Sequence, residues 1–410
     1  MKEFLDHPEI KKILLEVDKL KRAKKRFSDI EDAKGYQYVD LVQEGGGVLG
    51  IALVGYTYVL EKARIRFYNL AGTSAGAINT MMVAGLGKTE EAKSEKILEI
   101  LSNKNLFELV DGEKMVRTLI RKFIRQESGM AWTIIWNIRK FYRILTSRLG
   151  LNPGDNFVQW INEEFHKVGV KTMADIERLQ NQKPEGLKHI GGYDITDMVP
   201  KLAIIAADIT THSKIEFPKM SELYFDTPAA VKPSLLVRTS MSIPLFFEPV
   251  SFDKIPNEGV KNDPKWIEHC KYHGPVPGKA SFVDGGLLSN FPINVFHKKG
   301  GGVPRKPTFG VRLSTYRKDY TEIKNMKSMM GSMINSMRQI YDYDFLRKNP
   351  DYSQLICHID ADKDFNWLDF EIERKEQINM FLHGAKQAVE FLQSFDWEKY
   401  KETRRKLAMT

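Results

Sequence analysis

The stretch that decides the fold occupies residues 38–77, YVDLVQEGGGVLGIALVGYTYVLEKARIRFYNLAGTSAGA. Its apolar runs at residues 38–43 and 67–71 are short enough for strands, and a glycine-rich turn follows each of them. Each turn leads into a longer apolar run, which is typical of a buried helix. Two strand–turn–helix units in succession predict parallel strands joined by helices, the pattern of an α/β layered fold.

The rest of the chain extends this pattern and sets the expected domain boundaries. Further strand-like runs lie at residues 202–207, 281–283 and 308–313, and residues 228–242 have the pattern of one helix. The predicted fold class is α/β, with a central, mostly parallel sheet, a helical insertion and C-terminal helices. The predicted regions are a charged helical extension (1–36), a core domain (38–315) with a mostly helical insertion (88–200), and a C-terminal helical region (316–410).

Composition places the chain among globular proteins. Of the 410 residues, 42% are hydrophobic and 28% are charged, which excludes a disordered or fibrous chain. The longest aliphatic run is far shorter than the roughly 20 residues needed to cross a bilayer. The charged N-terminus lacks the apolar core of a secretory signal, and two cysteines are too few for a disulfide framework. We therefore expect a cytoplasmic protein, although secretion without a signal peptide stays open.

The net charge of +9 is concentrated in one segment. Residues 114–148 contain nine basic residues and one acidic residue, Glu127. The segment is also rich in large apolar residues, and it contains no basic motif of the nucleic-acid-binding type. An anionic lipid surface is therefore the expected partner, and nucleic acid is not expected. The alternative is that these cations are the solvated faces of helices packed on a core.

The first glycine-rich turn admits two interpretations. Gly45, Gly47 and Gly50 satisfy G-x-G-x-x-G, the phosphate loop of dinucleotide-binding folds. That interpretation needs an acidic residue at the end of the second strand, where a glycine and two hydroxyl residues stand instead. The other interpretation is that the backbone N–H groups of the loop converge beside a helix N-terminus and bind an oxyanion. The missing acid favours the oxyanion site.

The second glycine-rich turn, residues 72–76, has the sequence Gly-Thr-Ser-Ala-Gly and matches the G-x-S-x-G nucleophile elbow. In such a turn the hydroxyl of Ser74 is lifted above the sheet at the positive end of the following helix. Gly72 and Gly76 leave room for the sharp turn. Because a glycine loop also follows the preceding strand, Ser74 is predicted to be a nucleophile and not merely a turn serine.

A serine nucleophile needs a base, and the sequence offers two kinds. A triad would use a histidine late in the chain, for which His269, His273 and His297 are available. The better candidate is Asp284, where an apolar strand ends in an acid followed by Gly285 and Gly286. That turn is expected to present the carboxylate at the carboxyl edge of the sheet, beside Ser74. The alternative is an Asp-Gly pair that only forms the turn.

The motifs GGGVLG, GTSAG and DGG, in this order and at these separations, resemble the patatin-like phospholipases. The run Thr239–Phe247, TSMSIPLFF, resembles the segment that lines the site in that family, and the similarity covers about residues 38–315 outside much of 88–200. The resemblance implies a three-layer patatin-like sandwich and a Ser–Asp dyad of Ser74 and Asp284. It also implies an oxyanion hole formed by the glycine loop at residues 45–47, that is, by Gly45, Gly46 and Gly47. One departure is Leu49, because the family often has Arg or Lys at this fifth loop position.

The expected activity is hydrolysis of fatty acyl esters in lipids, of the phospholipase A or lysophospholipase type. An acyltransferase or thioesterase with the same acyl-enzyme is the alternative, and a catalytically inactive lipid-binding module is a further one. No metal or organic cofactor is expected, because no Asp-rich calcium loop is present and the His269-Cys270-x-x-His273 spacing lacks a second half. The sequence does not predict the headgroup, the ester position or the oligomeric state.

Two helical patterns bear on contact with lipid. Residues 130–149 are predicted to form a membrane-docking helix, with an apolar face flanked by Trp132 and Trp136 and with Arg139, Lys140 and Arg143 opposite. The apolar face consists of Ile134, Ile135, Ile138, Phe141, Tyr142, Leu145 and Leu149. The alternative is that this apolar face covers the core. A second stripe consists of five methionines, and packing in the core is favoured for it over contact with acyl chains. These are Met326, Met329, Met330, Met333 and Met337.

Overall fold

The computed structural model describes residues 1–124, 138–297, 302–315 and 320–407. The described helices are α1 (Lys2–Leu5), α2 (Pro8–Arg22), α3 (Gly50–Lys62), α4 (Ala75–Gly85), α5 (Ser94–Asn103), α6 (Lys114–Ile124), α7 (Ile138–Arg148), α8 (Asp155–His166), α9 (Met173–Gln180), α10 (Pro233–Ser240), α11 (Pro264–Cys270), α12 (Met326–Lys348), α13 (Arg374–Ser394) and α14 (Trp397–Leu407). The described strands are β1 (Ile30–Glu31), β2 (Gln37–Gln43), β3 (Ile65–Thr73), β4 (Gly150–Asn152), β5 (Lys188–His189), β6 (Leu202–Asp208), β7 (Ser213–Phe217), β8 (Leu245–Phe247), β9 (Val250–Asp253), β10 (Lys279–Asp284), β11 (Thr308–Arg312) and β12 (Ile356–His358).

The central sheet has the strand order β12-β11-β2-β3-β6-β10-β9. The first five strands in this order are parallel to their neighbours. Strands β10 and β9 are antiparallel, and β7 pairs with β6 as a further antiparallel strand. The predicted α/β fold with a central, mostly parallel sheet is confirmed.

Helix α3, the crossover between β2 and β3, is buried on all sides from Ile51 to Glu61. A helix that is apolar all round must be covered by other elements, and the two ends of the chain supply the cover. The ring centroids of Tyr58 and Phe381 lie 5.6 Å apart, and Phe4 packs edge-on against Phe381 at 5.7 Å. Helices α1 and α13 therefore belong to the core that supports the glycine loop.

The C-terminal region also contributes a strand, which the sequence did not predict. Strand β12 extends the sheet by pairing in parallel with β11. Its apolar run, residues 355–359, is too short for a helix, and it is buried because α13 packs on this end of the sheet. Residues 316–410 are therefore only partly helical.

Residues 228–242, predicted as one helix, form a 3₁₀ turn and then the separate helix α10. Helix α10 begins at Pro233. Proline suits the first position of a helix, since it has no N–H to donate and its ring would clash with a preceding turn.

Helix α7 is the described part of the helix predicted at residues 130–149, and Trp132 and Trp136 lie outside the described residues. Arg139, Lys140 and Arg143 are exposed. None of the described helices is both long enough and apolar enough to cross a membrane.

The apolar residues of α7 do not all lie on one covered face. Ile144, outside the predicted apolar face, is buried, whereas Tyr142 and Leu149, which belong to it, are exposed. One of the cations, Lys140, pairs with Glu113 at 2.6 Å.

The methionine stripe of α12 lies on the surface, so the prediction that it packs in the core was wrong. Met326, Met329, Met333 and Met337 are 40–67% exposed, and the side chain of Met330 lies outside the described part of the chain. Helix α12 is anchored through its second half instead, where Asp342 is buried and accepts the N–H of Phe291 at 2.8 Å. The helical period places the methionines on one face, but it does not determine which face is covered.

Candidate active site

Ser74 lies on the turn between β3 and α4, as the nucleophile elbow predicts. Its backbone is in the left-handed region, with φ 52° and ψ −118°, an unusual conformation for a residue with a side chain. The Ser74 N–H donates to the Oγ atom of Ser240 at 3.0 Å, so that the segment TSMSIPLFF holds the turn in place. Ser74 is 5% exposed and therefore reachable only through a narrow opening.

Asp284 ends β10 and lies beside Ser74 at the carboxyl end of β3, as the sequence predicts. Strand β10 is nevertheless antiparallel to β6, a direction that the sequence did not indicate. Thr73 pairs with Ile205 of β6, and Asp284 pairs with the next residue, Ala206. The two side chains meet because β6 extends beyond β3 and pairs there with the returning strand.

The Ser74 hydroxyl faces the buried carboxylate of Asp284 and, as a hydrogen-bond donor, lowers its pKa. Burial raises the pKa of Asp284, and the hydrogen bond from Ser74 and the charge of Arg338 act in the opposite direction. The Oδ1 atom of Asp284 also accepts the N–H of Gly286 at 2.7 Å. A carboxylate with a raised pKa is a better proton acceptor than one in water, so this pair has the geometry of a nucleophile and its base.

The histidines considered for a triad have other partners. His297 bonds to the Tyr352 hydroxyl at 2.9 Å, and His269 lies 3.3 Å from Glu222. His273 contacts a loop asparagine, Asn262, at 3.3 Å. These contacts favour the dyad over the triad.

The glycine loop lies directly against Ser74, and only part of it has free N–H groups. The N–H of Gly45 donates to the carbonyl oxygen of Asn290 at 3.0 Å. Within the described ranges, no protein acceptor is found for the N–H groups of Gly46 and Gly47. Of the three predicted donors, Gly46 and Gly47 are therefore the ones available to a substrate oxyanion.

Asn290 is a site residue that the sequence did not indicate. In addition to accepting the Gly45 N–H, it donates from Nδ2 to the Gly45 carbonyl oxygen at 3.1 Å. Its side chain is buried. Asn290 thus braces the glycine loop through both the N–H and the carbonyl group of Gly45. It follows the DGG turn by only a few residues, but nothing in its sequence context distinguishes it from a loop asparagine.

A buried ion pair also holds the start of the loop. Glu44 and Arg312 are each 1% exposed, and their side chains lie 3.3 Å apart. The Glu44 carboxylate also accepts the N–H groups of Leu313 and Ser314, at 2.6 and 2.9 Å. Strand β2 is thereby tied to the end of β11 at the residue that precedes the glycines.

A segment of the C-terminal region closes over the loop. The carbonyl oxygen of Trp367 accepts the N–H of Val48 at 3.1 Å. Gly47 has φ +56°, and a side chain there would overlap that carbonyl group. Glycine is therefore required at position 47 both by its backbone conformation and by the contact with Trp367.

Ser74 borders an apolar cavity on one side. The cavity has a volume of about 70 Å³, and Phe370 closes part of it by stacking on Phe246 with ring centroids 5.3 Å apart. Its other apolar lining residues come from α3, α4, α5, α8 and neighbouring loops, and they are Val48, Ile51, Ala75, Ile78, Leu101, Leu106, Leu109, Phe157, Trp160, Met241 and Ile243. Such a lining suits an acyl chain.

The glycine loop borders a larger, polar groove of about 790 Å³. One wall of the groove is formed by Gly45, Gly46 and Leu49. Another wall is the polar face of α12, with Ser332, Asn335, Ser336, Arg338 and Gln339. An apolar cavity and a polar groove thus both border the glycine loop beside Ser74, which matches the two halves of an amphipathic ester.

Comparison with known proteins gives a family match and two similar proteins. The family described as patatin-like phospholipase matches residues 41–297, more than half of the chain. YqhO of Bacillus subtilis (strain 168), an uncharacterized protein, is 28% identical over 363 residues, which cover 88% of this chain and all of YqhO. The crystal structure of VipD from Legionella pneumophila has a TM-score of 0.43 and 15% identity, over 90% of this chain and 70% of VipD. The family match includes Ser74 and Asp284 but ends before α12 and Trp367.

Proposed function

Because this chain belongs to the patatin-like phospholipase family, a family that acts on lipids, we propose that it hydrolyses fatty acyl esters of lipids through a dyad of Ser74 and Asp284. The observation that carries the proposal is the placement of Ser74, on the turn after β3, beside the buried Asp284 carboxylate. The substrate class is that of a phospholipase A or lysophospholipase.

In the acylation step, Asp284 accepts the Ser74 proton while the Ser74 Oγ atom attacks the ester carbonyl carbon. The N–H groups of Gly46 and Gly47 stabilise the oxyanion of the tetrahedral intermediate. Asp284 then returns the proton to the departing alcohol, which leaves an acyl-serine. In the second step a water molecule gives a proton to Asp284 and attacks the acyl carbonyl carbon. Asp284 then returns the proton to the Ser74 Oγ atom as the acyl–Oγ bond breaks, which releases the fatty acid and restores Ser74.

The oxyanion donors are expected to contribute a large part of the rate. Loss of one preorganised donor typically raises the barrier by about 2.7–4 kcal/mol. The braces at Asn290, Glu44 and Trp367 hold the loop before substrate arrives, so the donors need little reorganisation during the reaction.

The proposed reaction is tested by treating phospholipid vesicles with wild type and with Ser74→Ala and comparing the lipids by mass spectrometry. Release of free fatty acid together with lysolipid, by wild type only, supports the hydrolase. Failure of a fluorophosphonate probe to label Ser74 would instead identify an inactive lipid-binding module. Transfer of the acyl group from the phospholipid to an added alcohol, without release of fatty acid, would identify an acyltransferase.

The protein is also proposed to work at a membrane surface as a peripheral protein. Two surfaces support this proposal: the basic residues of α7, and the exposed methionines of α12 beside the polar groove. Basic residues and exposed apolar side chains both suit the headgroup layer of an anionic membrane.

Charge reversal of α7 provides the test. Arg139→Glu, Lys140→Glu and Arg143→Glu together are expected to weaken sedimentation with anionic liposomes and to slow the hydrolysis of vesicle lipid. Each basic residue near such a surface contributes about 1 kcal/mol, so the triple change should lower liposome binding by roughly 100-fold. Hydrolysis of a soluble short-chain ester should not change.

The matched control reverses three exposed lysines on other helices, Lys12, Lys19 and Lys167, which changes the net charge equally. If this control weakens sedimentation as much as the α7 variant, the effect belongs to net charge and not to α7. Thermal denaturation shows whether the loss of the Lys140–Glu113 pair affects folding.

A further inference from the structure

The polar groove contains a cation that replaces the one missing from the glycine loop. Leu49 stands where the resemblance predicts a basic residue, and its side chain lines the groove without any charge. Arg338 of α12 lines the same groove. It comes from a helix outside the segment that matches the family.

The position of Arg338 is close to the reacting groups. Gly286 lies close to both Asp284 and Arg338. A Cβ atom placed on Gly286 would be 2.9 Å from the Oδ1 atom of Asp284 and 3.6 Å from the Nε atom of Arg338. The guanidinium also lies over the ring of Trp367, 6.0 Å from its centroid. Arg338 therefore lies next to the dyad, beside the residue whose carbonyl group contacts the glycine loop.

The guanidinium is available to a ligand. Arg338 is half-buried, and it forms no hydrogen bond or ion pair with the described part of the chain. Arg312, by contrast, is paired with Glu44. The two carboxylates of the groove, Glu44 and Asp362, are engaged by backbone N–H groups of residues 313–315. Among the described residues that line the groove, Arg338 is thus the cation that has no ion-pair partner.

We propose that Arg338 binds the phosphate of a glycerophospholipid substrate and so selects phospholipids over neutral acylglycerols. This inference rests on the proposed function and adds the residue that recognises the phosphate. With the ester carbonyl at Ser74 and its acyl chain in the apolar cavity, the glycerol and headgroup extend into the groove, where Arg338 is the cation among the described lining residues. A guanidinium is suited to this task, since its planar donors can bind two phosphate oxygens at once.

Selectivity is measured as the ratio of kcat/KM for a phospholipid to kcat/KM for a diacylglycerol with the same acyl chains. Arg338→Gln, which keeps the polar character but loses the charge, is expected to lower this ratio by about tenfold or more, mainly through KM. Arg338→Lys should retain a large part of the ratio. Arg347→Gln, on the same helix and paired with Asp344, is the control.

An unchanged ratio in Arg338→Gln would overturn the proposal. If kcat/KM fell equally on both substrates, Arg338 would act only through Asp284.

A binding experiment separates this inference from the proposed reaction. In a Ser74→Ala background, calorimetry with monomeric dihexanoyl phosphatidylcholine should show at least about tenfold weaker binding after Arg338→Gln, while dihexanoylglycerol binding should change less. This result is independent of hydrolysis. Inorganic phosphate is titrated in parallel, and if it binds more tightly than the phospholipid, the site is one for a free anion and the proposal fails.

Discussion

Replacing Ser74 by alanine is expected to lower the rate of hydrolysis of a chromogenic short-chain ester by about 10³-fold or more. Removing one residue of a catalytic unit typically lowers kcat by several orders of magnitude. The change removes only the Oγ atom. The N–H that donates to Ser240 remains, so the elbow should keep its shape and the thermal midpoint should stay close to that of wild type.

Ser353→Ala provides a matched control, since this serine is exposed and bonds only locally to Pro350. It should retain full activity. A loss of less than about tenfold in Ser74→Ala would show that another nucleophile carries out the reaction.

Asp284→Asn is expected to be nearly as severe, because asparagine preserves the shape of the side chain but cannot accept the Ser74 proton. The same esterase assay measures the effect. The amide oxygen can still accept the Gly286 N–H that Asp284 accepts now, so the turn should stay intact.

The stability of Asp284→Asn distinguishes lost chemistry from lost folding. Because burial raises the pKa of Asp284, its ionised form costs folding free energy at neutral pH, where an unfolded aspartate is fully charged. Removing the charge removes this cost, so the inactive variant should unfold at a temperature no lower than wild type. If His297→Ala caused the same loss of activity, the base would be a histidine and the dyad would be wrong.

The parts of the site that the sequence predicts are those encoded in short segments. The elbow at Ser74 requires small residues two positions away on each side, and the glycine loop requires consecutive residues without side chains. Both patterns are visible within a few positions. The strands and helices of the first unit follow in the same way, because an apolar run bounded by glycines has few alternatives.

The remaining parts depend on contacts between distant segments. Arg338, Trp367 and Asn290 have no local pattern that indicates proximity to Ser74. The same limit applies to the antiparallel direction of the strand that ends at Asp284, since strand direction follows from the topology of the whole sheet. It also explains the methionines of α12, whose spacing is helical whether the face is covered or exposed.

The left-handed backbone at Ser74 places stability and activity in opposition at a single residue. A side chain in such a conformation costs about 1–3 kcal/mol, whereas glycine adopts it at little cost. Ser74→Gly should therefore melt at a higher temperature than Ser74→Ala, even though both lack the nucleophile, and equal midpoints would show that the turn is not strained. A chain released from the need to hydrolyse lipid could gain stability by losing its serine, so a high melting temperature in a relative is no sign that its catalysis survives.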